Sequence, residues 1–274
     1  MEDRLSEGQG RDTAKRSKPI AGPEDFAEAF KVPRETIHRL VRYAELLAEG
    51  QATANLVSAK TVPHLWDRHF ADSAQILRLA PDANVWLDLG AGAGFPGLVI
   101  AILQANHANF VMHLVESTAK KCAFLAEVAR ATSAPVEIHC MRIEELSKSA
   151  TSLKPEIVTA RALAPLPQLL ELAAPWLRPG ARGLFLKGRD AGKEIESAKR
   201  RFNFTCHLHP SMTADDSFIL EISHLTKRMK AKARRTLFLR AARASSRSPI
   251  RRAASARPPR RSISAPRSPP SVSE

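Results

Sequence analysis

From Pro33 onward the apolar residues Ile37, Leu40, Val41, Ala44 and Leu47 fall three and four apart. That spacing lines one face of a helix, with Gly50 as its expected stop. A second set, Val62, Leu65, Trp66, His69, Ser73, Ile76 and Leu77, repeats the pattern. Residues 22–80 therefore read as a helical cap. At residue 84 the period changes. Val85–Leu89 has strand length, and glycines and then the helix-compatible run 98–103 follow it. Strand candidate 111–115, a helical stretch 119–131, and strand candidates Val136–Cys140 and 157–160 continue the alternation. Strands alternating with helices predict a parallel sheet covered on both faces.

After Pro165 comes another helix, Leu166–Leu177, closed by Arg178, Pro179 and Gly180. Residues 183–187, 202–208 and 218–224 read as three late strands. The last two leave no room for a crossover helix, so they are expected to form an antiparallel hairpin. The fold class is thus α/β, Rossmann-like, with a mostly parallel seven-stranded sheet in a core of residues 81–226. Residues 1–21, polar and without period, read as a disordered leader. Residues 227–274 collapse to Arg, Ala, Ser and Pro and read as a disordered basic tail.

Charge sharpens that division. The chain of 274 residues has 42 basic and 28 acidic residues, a net +14. Residues 227–274 hold 15 of the basic residues and only one acid, Glu274, so the tail carries the whole excess and residues 1–226 are neutral. No uncharged apolar stretch approaches the ~18 residues of a membrane span, and the N-terminus lacks the apolar segment of a secretory signal. A cytoplasmic location is expected. Cys122, Cys140 and Cys206 lie far apart without CxxC spacing, so neither a disulfide framework nor a metal site is indicated.

The chemistry concentrates between Asp88 and Gly97, which read Asp-Leu-Gly-Ala-Gly-Ala-Gly-Phe-Pro-Gly between a strand and a helix. Glycines let backbone turn sharply and approach a ligand, and the free N–H groups of the next helix favour polar or anionic groups. Gly92, Gly94 and Gly97 satisfy GxGxxG, with Glu116 closing the next strand, so a nicotinamide-dependent oxidoreductase is formally available. Asp88 argues against it, because a carboxylate at the strand end would meet the pyrophosphate. It suits a cationic ligand such as S-adenosyl-L-methionine, with Glu116 accepting the ribose hydroxyls and the third strand, ending near Arg142 to Glu145, supplying an apolar and an acidic residue for the adenine. On this reading Asp88, Gly92, Gly94 and Glu116 bind the cofactor. A nonenzymatic RNA-binding protein is the third alternative.

Six blocks occur together and in order: the 88–97 loop, Arg68 to Ser73, Lys120 to Leu125, Arg142 to Glu145, Arg161 to Ala164, and Leu186 to Gly188. In this the chain resembles the ribosomal RNA small subunit methyltransferase G family, also called glucose-inhibited division protein B, over about residues 30–226. The resemblance implies methyl transfer from S-adenosyl-L-methionine to N7 of the guanine conventionally numbered 527 in bacterial 16S rRNA. It implies that Gly90 and Phe95 line the cofactor, that Ile143 and Glu144 meet its adenine end, and that Arg161 lies at the mouth. The expected partner is 16S rRNA or the small ribosomal subunit, with no membrane and no metal, and the protein is expected to be a monomer.

No general base is expected, since N7 of guanine has an in-plane lone pair and loses no proton, so proximity and orientation carry the reaction. No strictly catalytic residue is therefore expected. His69 reads as facing the RNA or the cofactor mouth, or as a core-edge residue. Lys120, Lys121, Lys187, Arg189 and Lys193 are candidate phosphate contacts.

Overall fold

The computed structural model describes residues 19–54, 56–149 and 152–228. The leader up to residue 18 and the tail from residue 229 lie outside the described residues. One sheet is built from β1 (Val85–Leu89), β2 (Val111–Glu116), β3 (Val136–Cys140), β4 (Ile157–Arg161), β5 (Arg182–Lys187), β6 (Phe202–Pro210) and β7 (Phe218–Lys227). Its order is β3-β2-β1-β4-β5-β7-β6. The first five strands are parallel, and β7 runs antiparallel to both β5 and β6. The expected hairpin is present, with β7 inserted between β5 and β6.

The inner strands are apolar runs because both faces are covered. Trp86, Met112 and Leu114 face one layer, together with the cap. Leu87, Leu89, Val115, Val158 and Ala160 face the other. The helices are α1 (Pro23–Phe30), α2 (Arg34–Ala54), the short α3 (Asp72–Ala74), α4 (Gly97–Leu103), α5 (Ala119–Thr132), α6 (Ile143–Ser149), α7 (Leu166–Leu177) and α8 (Ala191–Lys199). Sequence patterning does not single out α6 and α8, whose 7 and 9 residues are short and polar.

Two cap expectations need correction. Helix α2 does not stop at Gly50 but continues to Ala54. A glycine inside a helix costs only about 1 kcal/mol, less than burying a face that includes Leu40, Tyr43, Leu46 and Leu47 returns. The apolar set 62–77 is not one regular helix. It is a 3₁₀ segment Ala59–His64, a π-helical turn Trp66–Ala71, α3, and a second 3₁₀ segment Gln75–Leu79. Pro63 lies inside the first segment, where it lacks the N–H a regular helix needs. The strand order reverses around β1 and β4, so the ligand crevice of an open parallel sheet is expected at their carboxyl ends.

Candidate active site

A cleft of about 450 Å³ opens at that place. Of the nine residues the sequence nominates, Gly90, Gly92, Phe95, Glu116, Ile143, Glu144 and Arg161 line it. Asp88 and Gly94 do not. The cap contributes Leu56 and Val57, and the turn after β4 contributes Ala162 and Leu163.

The position of Asp88 corrects the charge argument. It shares a sheet face with Trp86 and is fully buried under the loop. Its Oδ2 accepts from the Gly97 N–H at 3.0 Å and its Oδ1 from the Thr159 hydroxyl at 2.9 Å. Burial pushes its pKa up to about 6, against the pull of Thr159, the Gly97 amide and Arg161. Asp88 therefore fixes the loop to β4 and lies outside the cleft lining. The same bond weakens the pyrophosphate reading on different grounds, because it occupies the amide at the start of α4, and the Leu98 N–H donates to the Gly94 carbonyl.

The loop has two unlike halves. Gly92 sits at φ +59°, and a Cβ there would meet only the Gly90 carbonyl, at 3.8 Å. Its open side is the cleft. Gly94 sits at φ +100°, where a Cβ would come within 2.5 Å of Leu98 Cδ1 and 2.6 Å of the Tyr43 hydroxyl. That glycine admits the cap, not a ligand. Tyr43 donates to the Ala93 carbonyl and stacks on Phe95 with ring centroids 5.4 Å apart. Its burial drives the phenol pKa well above the usual value, so it remains a donor.

Glu116 reaches the cleft from the end of β2, accepting from the Gly92 N–H at 3.1 Å and the Thr118 N–H at 2.8 Å. Each carboxylate oxygen keeps a further lone pair. Arg161, at the end of β4, lies over the Phe95 ring at 4.9 Å. Its guanidinium donates to the Arg68 carbonyl at 3.1 Å and to His69 Nδ1 at 2.7 Å, and Asp72 Oδ2 lies 3.6 Å away. Arg161 is thus at the mouth but is tied to the cap.

His69 accepts through Nδ1, so its proton is on Nε2, which lies 2.8 Å from the Thr61 hydroxyl. Thr61 in turn donates to the Ser58 carbonyl. Burial first, then Arg161 and Arg68, lowers the His69 pKa to about 3. This neutral histidine holds Arg161 in place. Tyr43, His69 and Asp72 carry this work; the sequence marks the Arg68 to Ser73 block and offers the cofactor mouth or the core edge for His69, but does not pair it with Arg161, 92 residues away.

Among the cation candidates, Lys121 lines the cleft. Lys187 is partly buried and pairs with Glu194 at 2.8 Å. Arg189 and Lys193 are exposed, paired with Asp216 and Asp190. Outside the cleft lining, between β2 and the edge strand β3, His113 Nδ1 lies 3.1 Å from His139 Nε2 and 3.2 Å from a Glu137 carboxylate oxygen. The ligand-capable atoms of the three lie within 4.8 Å of one another.

Comparison with known proteins agrees with this architecture. The chain is 47% identical over 201 residues to the ribosomal RNA small subunit methyltransferase G of Chelativorans sp. (strain BNC1), covering 73% of this chain and 95% of that protein. It is 44% identical over 207 residues to the protein of that name from Parvibaculum lavamentivorans, covering 75% and 91%. The cofactor-bound crystal structure of Rv0187 from MTB shares the fold with a TM-score of 0.50 at 14% identity, over 76% of this chain and 99% of that one. The model of the family described as rRNA small subunit methyltransferase G matches residues 36–217, and the chain belongs to that family.

Proposed function

We propose that the protein methylates N7 of guanine 527 in bacterial 16S rRNA, using S-adenosyl-L-methionine bound in the cleft. The observation that carries this reading is the juxtaposition of the open Gly92 floor with the Glu116 carboxylate, inside a chain of this family.

The cleft's volume of about 450 Å³ suits a ligand of that size. Glu116 offers its remaining lone pairs to the ribose hydroxyls. Ile143 and Glu144 offer an apolar surface and an acceptor to the adenine. Bound S-adenosyl-L-methionine supplies an electrophilic methyl group on a sulfonium. The chain's own part is to hold and align. Phe95, pinned between Tyr43 and Arg161, fixes one wall; Arg161, pinned by His69 and Asp72, fixes the mouth. None of these groups is placed as a general base, and N7 methylation requires none. Lys121 and Arg142 at the cleft offer cations to RNA phosphates. A ribosomal substrate places the protein in the cytoplasm.

Incubating unmethylated 30S subunits with labelled S-adenosyl-L-methionine and mapping the product tests this. A single N7 mark on guanine 527 is expected. Calorimetric binding of NAD in place of S-adenosyl-L-methionine would overturn the reading in favour of an oxidoreductase. Cofactor binding without any methyl gain would leave a nonenzymatic RNA-binding protein.

A further inference from the structure

Behind Arg161, Ala162 and Leu163 lies a second cavity of about 520 Å³, and these three residues line it as well as the cleft. The shared wall is the turn after β4, with Ala162 held at φ +52°. The rest of the lining includes Lys187 and Gly188 at the end of β5, Glu194 on α8, Ser217 of the hairpin region, and Asp72 of the cap, whose Oδ2 lies 3.6 Å from Arg161 and whose Oδ1 already accepts from Gln75 and Thr213. The two cavities therefore border the same three-residue turn.

We infer that the second cavity receives the target guanine, flipped out of the RNA, and that Glu194 reads its Watson–Crick edge. This rests on the methyl-transfer reading above. Enzymes that modify a base within folded nucleic acid extrude it into a pocket and read that edge by hydrogen bonds.

The orientation follows from the reaction. The N7 lone pair forms the new N–C bond while the S–C bond breaks and its electron pair stays on sulfur. Positive charge passes from sulfonium to purine, and no proton moves. N7 must therefore face the shared wall. O6 lies on the same purine edge as N7, so it comes to Arg161, a donor. N1–H and the N2 amino group leave the opposite edge and point to the far wall, where an acceptor is needed.

Glu194 is that acceptor. Its Oε2 is used by the Lys187 ammonium at 2.8 Å and the Leu166 N–H at 2.6 Å. Among the described residues Oε1 takes no protein hydrogen bond. Lys187 also donates to the Ala164 carbonyl, so the pair is held from both sides. Adenine in the same pose would set its amino group against Arg161 and its N1 lone pair against Glu194, a mismatch at both ends.

Inosine, which lacks only the N2 amino group, provides the test. Small subunits are reconstituted with 16S rRNA carrying guanine or inosine at the target position, and kcat/KM is measured for the full chain and for Glu194→Ala. The wild type should lose about tenfold or more on inosine, the scale of one base-edge contact. Glu194→Ala should lose about tenfold or more on guanine, yet discriminate guanine from inosine by less than about threefold. Its calorimetric affinity for S-adenosyl-L-methionine should be unchanged. An equal inosine penalty in both proteins, or a wild type indifferent to inosine, overturns the pocket while leaving the methyltransferase reading intact. Absence of methyl transfer to guanine by the wild type overturns that reading and the pocket with it. If Glu194→Ala loses cofactor affinity, Glu194→Gln, which keeps an acceptor for the Leu166 N–H, replaces it and should show a reduced inosine penalty; an undiminished one overturns the assignment.

Discussion

The two halves of the glycine loop are alike in sequence and opposite in use. In the first, Gly90 to Ala93, backbone borders the cleft, and the Cβ missing from Gly92 leaves room for a ligand. In the second, Gly94 to Gly97, the missing Cβ atoms are replaced by protein: Leu98 and the Tyr43 hydroxyl at Gly94, Leu114 and Asp88 at Gly97. A glycine-rich turn therefore contains a binding surface and a packing surface, and only the neighbours tell them apart.

The contrast predicts unlike failures. Gly94→Val should be the most damaging change, since it combines a strained positive φ with overpacking against Leu98 and Tyr43, together roughly 3–5 kcal/mol. Chemical denaturation reads this directly, and a variant of near wild-type stability would mean that the second half is as open as the first. Gly92→Val should leave stability within about 1–2 kcal/mol, the cost of a positive φ, while lowering affinity for S-adenosyl-L-methionine by about 100-fold or more. Calorimetry on protein with native circular dichroism checks it, and unchanged affinity would remove the cleft assignment.

Much of this was legible because of where it lies in the sheet. The strands β1, β2, β4 and β5 announce themselves as largely apolar runs and the edge strand β3 by alternation, and Glu116 closes one of them. Asp88 is buried beneath the loop and not among the residues lining the cleft. Alternation along β1 puts it on the face of Trp86, toward α4, but its position at a strand end beside glycines looked like a ligand site. The parts of the clamp on Arg161 were marked in the sequence, but their pairing was not. Arg68, His69, Asp72 and Arg161 come together only when a π-helical turn of the cap meets the end of β4, and no local pattern encodes that meeting.

Smaller effects sharpen the picture. Tyr43→Phe keeps the ring stack on Phe95 but loses the bond to the Ala93 carbonyl, so it should cost about 1–2 kcal/mol of stability, as one buried acceptor goes unmet, with a several-fold loss of cofactor affinity. No change in either quantity would mean that the stacking alone holds the loop. The finest test is pH. Asp88, with its folded pKa raised to about 6, contributes stability that is fully present below its unfolded value near 4 and is lost as pH rises through 6. His69, lowered to about 3, contributes stability that is present above 6.5 and is lost as pH falls toward 3. Between pH 6 and 4 the two oppose each other. Asp88→Asn removes one side, so its stability should fall more steeply on acidification than the wild type's, by up to about 1.4 kcal/mol per pH unit. Parallel curves would show that Asp88 does not titrate in that window.

The bond from Tyr43 to the Ala93 carbonyl joins a helix of the cap to the floor of the cleft. Opening of α2 and loading of the cleft are then two readings of one equilibrium, and linkage makes their influence mutual. Whatever factor cap opening removes from ligand affinity, bound ligand must remove from the frequency of cap opening. Amide hydrogens along Arg34–Ala54 should exchange more slowly as ligand is added, following the logarithm of its concentration once above Kd. Through that one hydroxyl, helices that never touch the ligand would report its presence.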